Sequence, residues 1–84
     1  MHCAIYKGTK RPDDYLYVEK EDDFSRTPQA LLDMMGKLQF VISLELSADR
    51  QLAQADVQQV MRQLTEQGYY LQMPPKTHEL SLEQ

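Results

Sequence analysis

At 84 residues, with 42% hydrophobic and 26% charged residues, the chain is long enough for one domain and too apolar to be disordered. Its net charge of −4 and nine scattered Lys and Arg residues lack the basic footprint of a nucleic-acid binder, which argues against DNA and anionic membranes as partners. No apolar run approaches the ~20 residues of a membrane span, and the N-terminus lacks a basic start followed by an apolar run; both point to a cytoplasmic protein.

His2 to Lys7 reads as a strand in which Cys3 and Ile5 alternate with Ala4 and Tyr6. Cys3 is the only cysteine, which excludes an intramolecular disulfide and a thiolate cluster, and its apolar neighbours make it a small core residue. Gly8 to Asp14 has turn composition and carries Lys10 and Arg11, which with Lys7 form the one local basic cluster. Tyr15 to Glu19 reads as a second strand, so the first two strands form a hairpin. Tyr15 and Tyr17 share one face of that strand, and Leu16 and Val18 share the other.

Glu19, Glu21, Asp22 and Asp23 then form an acidic cluster. It lacks the glycine turn and distal glutamate of a calcium loop, so a solvated strand end is the better reading and no metal site is expected. The loop continues through Phe24 to Arg26, with Asp22 or Asp23 expected to pair with the arginine. Thr27 is the expected cap of a helix to Met35, with Pro28 in the first helical position and Gly36 as the stop.

Leu38 to Leu46 reads as a third strand. Phe40, Ile42, Leu44 and Leu46 are placed on one face, Gln39, Val41, Ser43 and Glu45 on the other, with at least one face fully covered. Ser47 to Ala55 is either a loop with a helical turn or the opening of the next helix. Val57, Val60, Met61 and Leu64 recur at the helical period behind a capping-box-like Asp56 and Gln59, and Gly68 supplies the stop. Tyr69 to Met73 is a fourth strand ended by Pro74 and Pro75. The expected domain is residues 1–75, with a polar tail 76–84 that is frayed or forms a short helix.

The order β-β-α-β-α-β predicts a mixed sheet of about four strands sandwiched by helices, an α/β (α+β) architecture with an N-terminal hairpin. At this point the run from Tyr15 to Leu32, YLYVEKEDDFSRTPQALL, closely resembles the YcgL family of small bacterial proteins. The run Ala55 to Pro75 resembles it too, above all LTEQGYYLQ followed by the double proline, and Cys3 to Tyr6 fits as well. The resemblance spans about Met1 to Pro75. It implies a compact α/β domain with a sheet between helices, of mainly gammaproteobacterial occurrence, and it brings no catalytic residues.

Chemistry-bearing patterns are sparse. His2 and His78 are the only imidazoles; His2 and Cys3 point to opposite faces of a strand and cannot chelate together. There is no phosphate loop and no flagged nucleophile, so no catalytic, cofactor or metal residues are expected. The leading reading is a non-enzymatic interaction or regulatory module with an unknown protein partner. Its expected contact surface is the turn Lys7 to Asp14 plus the loop Glu21 to Arg26, drawing on Lys7, Lys10, Arg11, Tyr15, Tyr17, Asp22, Asp23, Phe24 and Arg26. One alternative is a single-stranded RNA binder that stacks bases on the tyrosines, disfavoured by the acidic charge. A second is a small enzyme with a pocket built from residues such as Tyr17, Asp23 and Arg26. Exposed tyrosine rings would favour binding; buried rings would leave only the acidic loop.

Overall fold

The computed structural model describes residues 1–49 and 56–73. The elements are β1 (His2–Gly8), β2 (Tyr15–Val18), α1 (Gln29–Met35), β3 (Leu38–Glu45), α2 (Val57–Gln67) and β4 (Tyr69–Gln72), in the expected order. The tail 76–84 and its His78 lie outside the described residues. So does most of the stretch after Ser47, including residues 50–55. Among the described residues no helix is long and apolar enough to cross a membrane.

The strands form one sheet in the order β3-β1-β2-β4. Every pairing is antiparallel, which corrects the mixed sheet expected from the element order. The reason is topological. β2 and β3 do run in one direction, as a helical crossover favours, but the crossover passes β1 and lands on its far side. The β1–β2 hairpin thus occupies the middle of the sheet, and the later strands add one to each side.

Each helix covers one face. On the α2 face, Cys3, Ile5 and Tyr17 pack with Val57, Val60 and Leu64. On the α1 face, Ala4, Tyr6, Leu16 and Val18 pack with Met35. Burial on both faces explains the near-continuous apolar character of Cys3–Tyr6 and Leu16–Val18. The first helix sits very close to the sheet: a Cβ on Gly8 would collide with the carbonyl oxygen and Cβ of Met35.

Two local signals read from the sequence hold. Asp56 caps α2, accepting from the Gln58 amide at 3.0 Å, one residue earlier than a capping box would use. Gly68 ends α2 in the left-handed region (φ 89, ψ 0) and donates to the Gln63 and Leu64 carbonyls. The start of α1 differs. Pro28 is the cap residue, its carbonyl accepting from Leu31 and Leu32. Thr27 lies one position too early to cap, and its hydroxyl is buried without a hydrogen-bond partner among the described residues.

The largest departure is in β3. Cys3 faces Leu44 and Ile5 faces Ile42, but the next pair is Tyr6 with Phe40, so Val41 is the extra residue of a β-bulge. The bulge reverses the alternation. Ile42 and Leu44 share the α2 face with Cys3 and Ile5, whereas Leu38 and Phe40 lie on the α1 face with Tyr6. The single face of Phe40, Ile42, Leu44 and Leu46 is therefore split. Nor is either face of β3 fully covered: Phe40, Val41 and Ile42 are 49%, 44% and 46% exposed.

Candidate functional site

The fold distributes the residues singled out from sequence over three places. Lys7, Lys10 and Arg11 are exposed at the turn end of the β1–β2 hairpin. Arg11 reaches Asp14, whose side chain is only 2% exposed, with Nε 3.3 Å from Oδ2, an ion pair outside hydrogen-bond geometry. This contact holds the turn together, as does the Asp14 amide bonded to the Arg11 carbonyl at 3.0 Å.

Asp22 and Phe24 fold back over the α1 face onto Tyr6. The Asp22 amide donates to the Tyr6 hydroxyl at 2.7 Å, and that hydroxyl donates to Asp22 Oδ1 at 3.2 Å. Asp22 takes a left-handed conformation (φ 64) to make this exchange, which Asp tolerates better than most residues. The Phe24 ring meets Tyr6 edge-on at 4.9 Å, and Phe40 meets the same ring at 5.6 Å. Burial, ahead of the neighbouring Asp22, raises the Tyr6 hydroxyl above its ordinary pKa.

Asp23 and Arg26 lie at the opposite end of the hairpin from the basic turn. They line an open hollow of about 490 Å³, together with Glu19, Lys20 and Ser25 from the same loop. The start of β1 and Gly68 complete its wall. Arg26 does not pair with Asp22 or Asp23, as expected from sequence, but with Glu19 at 3.5 Å, and it donates to the Glu66 carbonyl at 3.3 Å. Two geometric causes operate. Asp22 is turned toward Tyr6, and Asp23 Oδ1 accepts from the Ser25 amide at 3.1 Å and its hydroxyl at 2.7 Å. The Ser25 bonds hold the Asp23 carboxyl below its ordinary pKa.

Arg26 consequently lies over the C-terminal end of α2, where a cation suits the helix dipole. Gly68 makes room for it, since a Cβ there would lie 2.6 Å from the Arg26 side chain. The hollow thus mixes Lys20 and Arg26 with Glu19 and Asp23. Its serine–aspartate contact is a local turn of two residues' span. Among the described residues no group of three or more His, Cys, Asp or Glu side chains could hold a metal ion.

The tyrosines do not gather into one platform. Tyr15, Tyr17 and Tyr70 are on the α2 face, where the Tyr17 and Tyr70 rings meet edge-on at 5.5 Å. Tyr6 and Tyr69 are on the α1 face. Tyr6 and Tyr17 are 3% and 5% exposed, so neither offers a face to a base. The Tyr17 hydroxyl donates to Gln72 Oε1 at 2.8 Å, and burial pushes it up to about 12. Tyr17 is also separated from the hollow that Asp23 and Arg26 line.

Sequence reasoning missed Glu19 as the partner of Arg26, and it missed the outer edge of β3. Among the described residues that edge pairs with nothing, and it carries Phe40, Val41 and Ile42 in succession. Three consecutive large apolar residues in a strand that is not covered on both faces were the available signal. At the end of the strand, Glu45 accepts from the Met1 amine at 2.8 Å, and that bond lowers its carboxyl pKa.

Comparison with known proteins assigns the family. The YcgL domain profile matches residues 3–75. A YcgL domain-containing protein of Proteus mirabilis is 53% identical over 75 residues, covering 89% of this chain and 77% of that protein. Protein YcgL of Escherichia fergusonii is 50% identical over 80 residues, covering 95% of this chain and 82% of its own. A protein of Nitrosococcus oceani described as a putative HAD-like hydrolase is 53% identical over 79 residues, which are 94% of this chain but only 21% of that longer one. With the expected fold, the profile over nearly the whole chain and these relatives in agreement, the chain belongs to the YcgL domain family.

Proposed function

We propose that this domain is a non-enzymatic protein-interaction module and that a partner docks on the outer edge of β3. The observation that carries the reading is the exposed run Phe40-Val41-Ile42 on a strand whose outer N–H and C=O groups are unpaired among the described residues. Such an edge is a template for an added strand, and proteins ordinarily blunt it with lysine, proline, a bulge or a covering segment; β3 has the bulge at Val41. Residues 38–45 contain neither lysine nor proline.

The basic turn and the acidic loop are weaker docking surfaces. They lie apart, and Asp22, Phe24 and Arg26 are engaged within the domain. The Nitrosococcus oceani relative supports a module that works beside other protein: there the matching segment is a fifth of a longer chain.

The test is affinity capture with the intact protein and its Val41→Lys, Lys10→Ala and Arg26→Ala variants, each first checked for an unchanged melting curve. A partner retained by wild type and Lys10→Ala and lost by Val41→Lys is the expected result. Capture that survives Val41→Lys removes β3 as the surface. Its loss on Arg26→Ala instead would move the surface to the acidic loop.

A further inference from the structure

Resting on the reading of β3 as a docking edge, we infer that the strand added there is an extended segment of a partner protein in which two adjacent large apolar residues are followed, towards its C-terminus, by acidic side chains at alternate positions.

Charge is distributed unevenly along the open edge. Lys37 continues the ladder at the start of β3, its carbonyl accepting from the Thr9 amide at 2.9 Å. Leu38 packs on the α1 side, so by alternation Lys37 and Gln39 belong to the α2 face. Lys7 stands opposite Gln39, one strand spacing (~4.8 Å) further in, and shares that face with Ile5. Both lysines are exposed, and neither is paired with a carboxylate among the described residues. Glu45, at the far end and by alternation on the other face, already accepts from the Met1 amine at 2.8 Å. The edge therefore keeps uncompensated positive charge at one end and on one face. Opposite charges across a strand pair stabilise it, which selects acid in the incoming strand at that place. Lys10 is set apart from this row, its stem lying against Gly36 at the end of α1.

The bulge dictates where the apolar residues of the partner fall. Phe40 and Ile42 lie on opposite faces, yet the β1 residues facing them, Tyr6 and Ile5, are consecutive. A regular strand on the outer side likewise meets the two side chains with consecutive residues, one on each face. Phe40 and Ile42 are 49% and 46% exposed, so an added strand shields both only where both of its facing residues are large and apolar.

Every ladder of the sheet is antiparallel, the pattern with the more stable pairing per residue. An antiparallel partner runs from the Glu45 end to the Lys37 end. Beyond its apolar pair, its first residue then faces Gln39 and its third faces Lys37, both on the face that carries Lys7. Its second faces Leu38, on the apolar α1 side. Acids at the first and third positions meet the lysines, and a shift of one residue turns them to the wrong face.

The experiment titrates labelled peptides with the full chain by fluorescence anisotropy, at low and high salt. The lead peptide carries a valine–phenylalanine pair, then glutamates at the first and third following positions, with threonine elsewhere. In three controls the glutamates are moved on by one position, the glutamates are replaced by lysines, or the apolar pair is replaced by serines. Binding of the lead peptide that weakens with salt, falls about tenfold for the shifted and the lysine peptides and is lost for the serine peptide is the expected result. Lys37→Glu should reverse the preference between glutamate and lysine peptides, and Lys10→Ala should leave it unchanged. Val41→Lys should abolish binding, whereas plain charge attraction would strengthen with the added lysine. Equal affinity for the lead, shifted and lysine peptides overturns the acidic partner. Binding that survives loss of the apolar pair, or that survives Val41→Lys, overturns it as well. So does the absence of binding up to about millimolar protein, or sedimentation showing the edge closed by a second copy that excludes the peptide. The proposed function fails separately. Capture of a protein that depends on Val41, with the peptides failing, keeps the docking edge and loses only the acidic segment; capture that does not depend on Val41 loses both. Circular dichroism melts confirm that Lys37→Glu and Val41→Lys are folded.

Discussion

The centre of the sheet and its β3 edge are built from similar residues and treated in opposite ways. Leu16, Val18 and Ala4 are sealed beneath α1, while Phe40, Val41 and Ile42, no less apolar, stand half in solvent. Both helices pack against the hairpin, so the middle of the strand that α1 delivers to the far side of β1 is left exposed, while its ends at Leu38 and Leu44 still pack on the two clusters. The difference teaches that apolar composition measures what a strand can bury, not what it does bury. A surplus at an edge is where a protein of this size has something left to offer a partner.

The contrast requires the two regions to answer differently to the same kind of truncation. Leu16→Ala opens a cavity between the sheet and α1 and should cost about 3 kcal/mol in urea unfolding, a large share of the stability of so small a domain. A loss below about 1 kcal/mol would mean that the centre is not packed as described.

Tyr17→Phe tests the polar seam of the same centre. Removing the hydroxyl leaves Gln72 Oε1 without the donor it has at 2.8 Å and should cost about 1–2 kcal/mol. It should also change the alkaline limb of stability. Burial raises the Tyr17 hydroxyl from 10.0 to about 12. Between those values an unfolded tyrosine has lost its proton while the folded one keeps it, so the folded state binds more protons and stability falls as pH rises. That fall should be shallower in Tyr17→Phe, with a remainder from Tyr6, whose hydroxyl is raised in the same direction. Identical alkaline limbs in mutant and wild type would contradict a buried Tyr17.

Ile42→Ala should have the smallest effect, within about 0.5 kcal/mol, because the side chain is 46% exposed. Measured at low and at high protein concentration, it sharpens the comparison. A cost that appears only when the protein is concentrated would assign the value of Ile42 to a contact outside the single chain.

Much of this architecture is legible in the residues. Tyr15 to Val18 announces a strand by composition, Asp56 and Gly68 bracket α2 by their capping chemistry, and Val57, Val60 and Leu64 bury the face their period predicts. These signals are local, so a linear reading finds them. The β3 bulge is not local. Phe40, Ile42, Leu44 and Leu46 alternate without fault in sequence, and only the pairing with β1 shows Val41 as the extra residue. Arg26 fails for a similar reason. Asp22 and Asp23 are nearer along the chain, but one is turned to Tyr6 and the other to Ser25, leaving Glu19 and the end of a helix forty residues on. Tyr6, Tyr17 and Tyr70 could not be sorted by face until the strand order was known.

The strand order has one more consequence, for how the chain assembles. Ala4 meets Val18 across a short turn, whereas His2 must find Glu45 and Tyr15 must find Gln72. Closing a short loop costs less entropy than closing a long one, so the hairpin is the contact available first and the sheet grows outward from it. Until the later strands arrive, both sides of that hairpin are open edges. The last strands to join inherit the outside of the sheet.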